Sequence, residues 1–250
     1  MSDPAIEVSH LSKRFAAVTA VDDMSFVVPK GATVGLLGGN GAGKTTTLSM
    51  LLGLLEPSAG RVIVLGQDML SRRQAVLPRM NFSSPYVDLP HRLTIRQNLT
   101  IYGLLYGMRR LRQRIDRLAR DLGLTELLDR PTGTLSAGQK TRAQLAKALI
   151  NEPSVLLFDE PTASLDPDTG DWVRGYIEGY RQRVGATLLI ASHNMGEVER
   201  LCDHVLMMRA GRIVDAGAPA DLIRRYGRQN LEQVFLDIAR RPGEATAAAQ

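Results

Sequence analysis

Gly38-Gly39-Asn40-Gly41-Ala42-Gly43-Lys44-Thr45 has the residue types and spacing that bind a nucleotide's phosphates. The pattern is G-x-x-x-x-G-K-T, the phosphate-binding loop. Its glycines let the backbone curl so that several N–H groups point at one anion, and the start of the following helix adds a partial positive charge. Lys44 has the reach to meet the β- and γ-phosphates, and the Thr45 hydroxyl is a ligand for Mg²⁺. Gly38 and Asn40 to Thr46 therefore form the expected nucleotide cradle. The loop follows the apolar run Thr33 to Leu37 and precedes Thr46 to Leu52. That is the strand–loop–helix setting the motif requires.

Four further groups could complete a nucleotide site. Asp159-Glu160 ends the apolar run Ser154 to Phe158. A carboxylate at the carboxyl end of a buried strand can hold Mg²⁺, and its neighbour can take a proton from water. Alone the pair is a helix cap; beside a phosphate loop it is a metal-and-base pair. Ser192-His193 ends a second apolar strand, Ala186 to Ala191. A lone histidine there is a core residue, but on the same sheet edge it can touch a γ-phosphate. Ser136, Gly138 and Gln139 open a helix, where a hydroxyl and free N–H groups form either an N-cap or a second phosphate site. Phe15 follows Lys13-Arg14 and either packs in the core or stacks on adenine.

The elements that must position these groups alternate between strand and helix. Ile6 to Val28 reads as short strands of an antiparallel flank. Arg61 to Gly66 is a strand, and Asp68 to Val76 has a helical pattern. Met80 to Pro90 reads as irregular, being rich in turn formers. From Thr94 the apolar positions recur at three- and four-residue spacing (Leu99, Tyr102, Leu105, Tyr106), and Met108 to Leu122 is an amphipathic helix with a solvated basic face. Helices are expected over Lys140 to Ile150, Asp168 to Arg183 and Met195 to Cys202. A hairpin around Ala210-Gly211, a last helix at Leu231 to Ile238 and a frayed end from Gly243 follow. The helical stretch from about 90 to 150 interrupts an otherwise α/β pattern, which reads as a helical subdomain inserted in a nucleotide-binding core.

Bulk properties narrow the class. The chain has 250 residues, enough for one large domain, and a net charge of +5 carried mostly by arginine. That balance permits an anionic partner without requiring one. The single cysteine, Cys202, excludes an internal disulfide and leaves no thiol set for zinc. No apolar run has the length of a membrane span, and the opening residues do not read as a signal peptide, so the expectation is a soluble, cytoplasmic protein.

Taken in order, the motifs resemble the ATP-binding subunits of ABC transporters from about residue 6 to 215. Leu135-Ser136-Ala137-Gly138-Gln139 is similar to the family's LSGGQ signature, with alanine at the third place. Phe158 to Thr162 resembles its Walker B extension, Ser164-Leu165-Asp166 its D-loop and Ser192-His193 its H-switch. Phe15 falls where the family keeps an adenine-stacking aromatic. The resemblance implies a RecA-like P-loop NTPase core with a mainly parallel sheet, an antiparallel β flank and an inserted α-helical subdomain. One ATPase domain over 1–250 is expected. It comprises a core at 1–84 and 151–215, the helical subdomain at 85–150 and a helical tail at 216–250. ATP and Mg²⁺ are the implied ligands, with Thr45 and Asp159 on the metal. Glu160 would deprotonate water, His193 would hold the γ-phosphate and Lys44 would offset developing charge. Implied partners are a second ATP-binding subunit in a head-to-tail homodimer and a separate transmembrane permease, with no nucleic acid. The subunit would lie on the cytoplasmic face of the inner membrane. Met195 to Glu199 and Asn230 to Phe235 look most like the ABC-2 exporter type.

One position departs from the pattern. The family keeps a glutamine between core and helical part, and here the place falls at Pro85, whose side chain cannot ligate a metal; Ser84 could. Two other readings compete with a transport ATPase: a non-hydrolysing partner subunit and a non-transport ABC ATPase acting on nucleic acid. Intact Glu160, His193 and Ser136 oppose the first, and the absence of a sustained coiled coil opposes the second.

Overall fold

Two sheets share the strands. One has the order β2-β1-β4-β5, from β1 (Pro4–Phe15), β2 (Val18–Pro29), β4 (Ala59–Val64) and β5 (Gln67–Asp68). The other has the order β10-β9-β3-β8-β7-β6, from β3 (Thr33–Gly38), β6 (Met80–Ser83), β7 (Val155–Asp159), β8 (Thr187–Ser192), β9 (His204–Arg209) and β10 (Arg212–Gly217). The computed structural model describes residues 4–84, 87–163 and 165–240. Pro85, Ser164 and the end expected to fray from Gly243 lie outside these residues. The first sheet is antiparallel throughout, and the second is parallel except for its β9–β10 hairpin. This is the mixed α/β architecture expected.

Every residue of β3, β7 and β8 is buried, because both faces of the parallel sheet are covered. Period-two alternation divides them. Val34, Leu36, Leu157 and Leu189 pack towards the antiparallel sheet with Ile6, Val8, Leu11 and Val28. Leu37, Leu156, Phe158, Leu188 and Ile190 pack on the opposite face with Ile177 and Val198. The helices are α1 (Lys44–Leu51), α2 (Arg73–Val76), α3 (Ile95–Leu105), α4 (Leu111–Asp121), α5 (Ala137–Leu149), α6 (Pro167–Val184), α7 (Met195–Leu201), α8 (Pro219–Tyr226) and α9 (Leu231–Arg240). Between β6 and β7 the chain is helical, and Leu99, Ile115, Leu118, Leu145 and Leu149 join the second cluster.

Parallel pairing brings the chemistry-bearing strand ends to one edge. Leu37 of β3 is level with Ser192 of β8, and Ala191 is level with Asp159 of β7. The phosphate loop, Asp159-Glu160 and Ser192-His193 all leave the sheet at that edge.

Two expected elements differ. Asp68 to Val76 is not one helix. Asp68 ends β5, and its carboxylate accepts hydrogen bonds from the Leu70 and Ser71 amides and from Arg61. That side-chain turn competes with helix, so only Arg73–Val76 is helical. Met80 to Ser83 is not irregular but the edge strand β6, paired in parallel with β7. Its polar Asn81 is buried because the side-chain amide donates to Asn151 and the Lys147 carbonyl and accepts from the Phe82 amide.

Candidate nucleotide site

The loop from Gly38 to Gly43 is shaped by contacts that exclude side chains. A Cβ at Gly43, where φ is +102°, would lie 2.4 Å from the Ala20 carbonyl oxygen. One at Gly38 would meet the Met208 carbonyl oxygen and the Ala42 Cβ, each at 2.8 Å. The bare backbone thus threads between β2 and β9 before α1 begins, with Gly43 as the residue ahead of its first turn. Among the P-loop residues, Lys44 is buried and folds back to donate to the Gly38 carbonyl at 2.6 Å and the Gly39 carbonyl at 3.3 Å. Burial pulls its ammonium below the usual lysine range, against the opposing pull of Glu160 and Asp159.

Thr45 and Asp159 meet across the sheet edge, the Thr45 hydroxyl donating to Asp159 Oδ2 at 3.1 Å. Both are hard oxygen donors, the chemistry Mg²⁺ selects. Among the described residues no cluster of three His, Cys, Asp or Glu could hold a metal. Two hard oxygens side by side suit an ion that takes few protein ligands and completes its shell with phosphate and water. Asp159 is 4 % exposed, and burial raises its pKa; Glu160 adds to the rise, while Thr45 and Lys44 oppose it.

A carboxylate whose folded pKa is raised contributes most stability below the ordinary carboxylate range, and loses it as pH climbs through the raised value. At neutral pH the charged form is a net cost. Asp159→Asn is therefore expected to raise the melting temperature of the nucleotide-free protein at pH 7, and to narrow that gain as pH falls. Melting curves from pH 4 to 8 check this; a lower melting temperature at pH 7 counts against the burial argument.

Glu160 occupies a strained position. Its φ is +54°, the left-handed region that costs a non-glycine residue about 1 kcal/mol or more. Its amide still continues the ladder by donating to the Ala191 carbonyl at 2.8 Å. The side chain then lies among donors. Oε1 accepts from the His193 amide at 3.0 Å and from His193 Nδ1 at 2.6 Å, and Lys44 Nζ stands 4.0 Å away. Oε2 is 3.1 Å from the Ser192 hydroxyl. The His193 ring is largely exposed while Glu160 is buried, so the imidazole covers the carboxylate from the solvent side.

Gly38 to Thr46, Asp159, Glu160 and His193 are thus brought together. Phe15 stands on the β1–β2 hairpin opposite Val18, two residues from the Ala20 that abuts Gly43. Its ring is 46 % exposed, with Lys13 Nζ 5.2 Å from its centroid. Ser136, Gly138 and Gln139 are elsewhere, at the start of α5. Ser136 accepts from the Gln139 amide at 3.3 Å, and Gln139 Oε1 accepts from the Ser136 amide at 3.0 Å. This is a reciprocal cap, with Ser136 itself exposed. Among the described residues Ser136 makes no hydrogen bond to the phosphate loop.

Thr162 and Glu197 carry no individual role in the sequence motifs, yet with Ser192 they form the wall behind Glu160. Thr162 Oγ1 donates to Glu197 Oε1 at 2.7 Å, and the Ser192 hydroxyl lies 2.8 Å from Glu197 Oε2. Glu197 shares the buried face of the short helix α7 with Val198 and Leu201.

Comparison with known proteins agrees with this geometry. The ABC transporter family model matches residues 21–163. The ABC transporter ATP-binding protein NatA of Bacillus subtilis is 37 % identical over 238 residues, covering 92 % of this chain and 96 % of that protein. The Nod factor export ATP-binding protein I of Burkholderia lata is 39 % identical over 220 residues, covering 87 % of this chain and 72 % of its own length. A solved ATP-binding subunit of an ABC transporter superposes with a TM-score of 0.86 at 27 % identity, over 94 % of this chain and all of the other. Similarity of that extent in both sequence and fold means that the chain belongs to the ABC transporter family, as an ATP-binding subunit with ATPase chemistry.

Proposed function

We propose that the chain hydrolyses MgATP at the interface of a head-to-tail homodimer and drives a separate transmembrane permease, in a transporter of the export type. The observation that carries the reading is the convergence of Lys44, Glu160 and His193 on one sheet edge, with Thr45 and Asp159 beside them. Glu160 takes the proton of the attacking water. Lys44 leaves the Gly38 and Gly39 carbonyls for the phosphates, and His193 turns from Glu160 to the γ-phosphate. Thr45 and Asp159 hold Mg²⁺, which when bound offsets phosphate charge. Phe15 stacks on adenine. Each Ser136 to Gln139 segment faces the phosphate loop of the partner subunit, which fits its exposure and its distance in sequence from its own loop. Among the described residues no helix is long and apolar enough to cross a membrane. Leu104 and Leu105 on α3, with Ile101, instead present exposed apolar side chains that suit contact with a permease on the cytoplasmic face of the inner membrane. The export direction follows the similarity to Nod factor export ATP-binding proteins. Nucleic acid is not an expected partner.

The purified chain should hydrolyse ATP with Mg²⁺ and stop when the ion is chelated. From solubilised membranes it should co-purify with a multi-span membrane subunit, and Leu105→Asp should weaken that recovery while sparing ATP binding. Hydrolysis unaffected by chelation counts against the metal assignment, and recovery without any membrane protein counts against the transport reading.

A further inference from the structure

Behind Glu160 the hydrogen bonds do not balance with two ionised carboxylates. The Ser192 hydroxyl has one proton but stands within reach of two carboxyl oxygens, Glu160 Oε2 at 3.1 Å and Glu197 Oε2 at 2.8 Å. It also accepts from the Asn194 amide at 3.0 Å. If Ser192 donates to one carboxylate, the other contact pairs two oxygens with no hydrogen between them, an arrangement a buried site does not sustain. One carboxyl must supply the missing proton. Glu160 Oε1 already accepts from the His193 amide and ring, and Lys44 Nζ stands 4.0 Å away, so the groups around that side chain are donors. Glu197 is 2 % exposed and makes no ion pair among the described residues. The charged and titratable groups acting on it are Glu160, Arg174 on α6 and the buried Cys202 thiol that ends its own helix.

We propose that Glu197 is a protonated carboxylic acid and a positioning residue for Glu160, acting through Ser192. Glu197 donates from Oε2 to Ser192 Oγ, and Ser192 in turn donates to Glu160 Oε2. Thr162 donates to Glu197 Oε1, leaving that acid with both oxygens satisfied. Ser192 then accepts two bonds and donates one, the full capacity of a hydroxyl. Burial, which raises the Glu197 pKa against the hydrogen bonds of Thr162 and Ser192, acts in the same direction. The chain has a defined polarity: it ends as a donor on Glu160, anchoring one oxygen of that strained side chain. The other oxygen is freed when His193 turns away.

The inference rests on Glu160 being the base, but its first test does not. An infrared difference spectrum of wild type minus Glu197→Gln at neutral pH should show the carbonyl band of a protonated carboxylic acid, shifted in heavy water. Carboxylate bands in its place overturn the proposal, whatever Glu160 does. The second test is rescue. Glutamine can donate to Ser192 and accept from Thr162 in the same sense, so Glu197→Gln should keep kcat within about twofold of the parent. Glu197→Ala and Ser192→Ala should each lose about tenfold to a hundredfold in kcat with KM little changed. The two losses should not add in the double variant. A glutamine variant as impaired as the alanine variant overturns the protonated state even if the alanine variant folds poorly. Parental turnover in Glu160→Gln with the infrared band still present would instead dismiss the base and leave the protonated Glu197 standing.

Discussion

Glu160→Gln is expected to lower ATP hydrolysis by roughly a thousandfold, while ATP binding stays near its parental strength. The amide keeps the volume of the carboxyl and can still accept from the His193 amide and ring, so the strained backbone at φ +54° keeps those two anchors. What it loses is the Ser192 hydrogen bond to Oε2 and the capacity to take a proton. Lys44, Thr45 and the loop are untouched, so phosphate contacts persist. With hydrolysis blocked and binding intact, ATP should hold two subunits together, and size-exclusion chromatography should show an ATP-dependent dimer that ADP does not support. Turnover at the parental rate removes Glu160 from the base role. A large loss of ATP affinity would mean that Glu160 acts mainly on the position of Lys44, 4.0 Å away.

The strands that carry this site were legible because they are buried on both faces. Val155 to Phe158 and Leu188 to Ala191 are uninterrupted apolar runs, and each ends where its polar residues leave the sheet. Glycine spacing gave the phosphate loop before any coordinate did, since its tight approaches to the Ala20 and Met208 carbonyls admit nothing larger. Where reading failed, side chains had replaced backbone partners. Asp68 satisfies two amides and so holds off the helix expected from Asp68 until Arg73. Asn81 looks like a turn residue by type, but its amide is spent within a β-edge. The wall behind Glu160 was illegible for another reason. Glu197 is a charged residue type on a short helix, and nothing local distinguishes a buried acid from a solvated one. Its meaning comes from Ser192 and Thr162, which arrive from two other parts of the chain. Ser136 shows a limit of a different kind. The signature reads clearly, but its hydroxyl accepts from the Gln139 amide in a reciprocal cap of α5, so within one chain it reads like any good helix start.

The dimer can be tested through that residue. Lys44→Ala should remove the cation that the loop presents to phosphate. Ser136→Glu should set a carboxylate where the partner's phosphate would sit and also weaken the α5 cap by about 1 kcal/mol. Each variant alone should hydrolyse ATP at least a hundredfold more slowly than the parent. In a two-fold dimer the loop of one subunit meets the Ser136 segment of the other, and the reverse. A mixed dimer then pairs the intact Lys44 of the Ser136→Glu subunit with the intact Ser136 of the Lys44→Ala subunit in one site, and gathers both lesions in the other. Random mixing makes half of the dimers mixed, each with one sound site, so an equimolar mixture should recover about a quarter of the parental rate. Separately tagged subunits, purified through both tags, should recover about half. Pure mixed dimers that remain at the rate of the single variants would mean that Ser136 serves its own helix and not the neighbour's nucleotide. Recovery can arise only if one site is built from two chains, because no single chain in the mixture holds both residues.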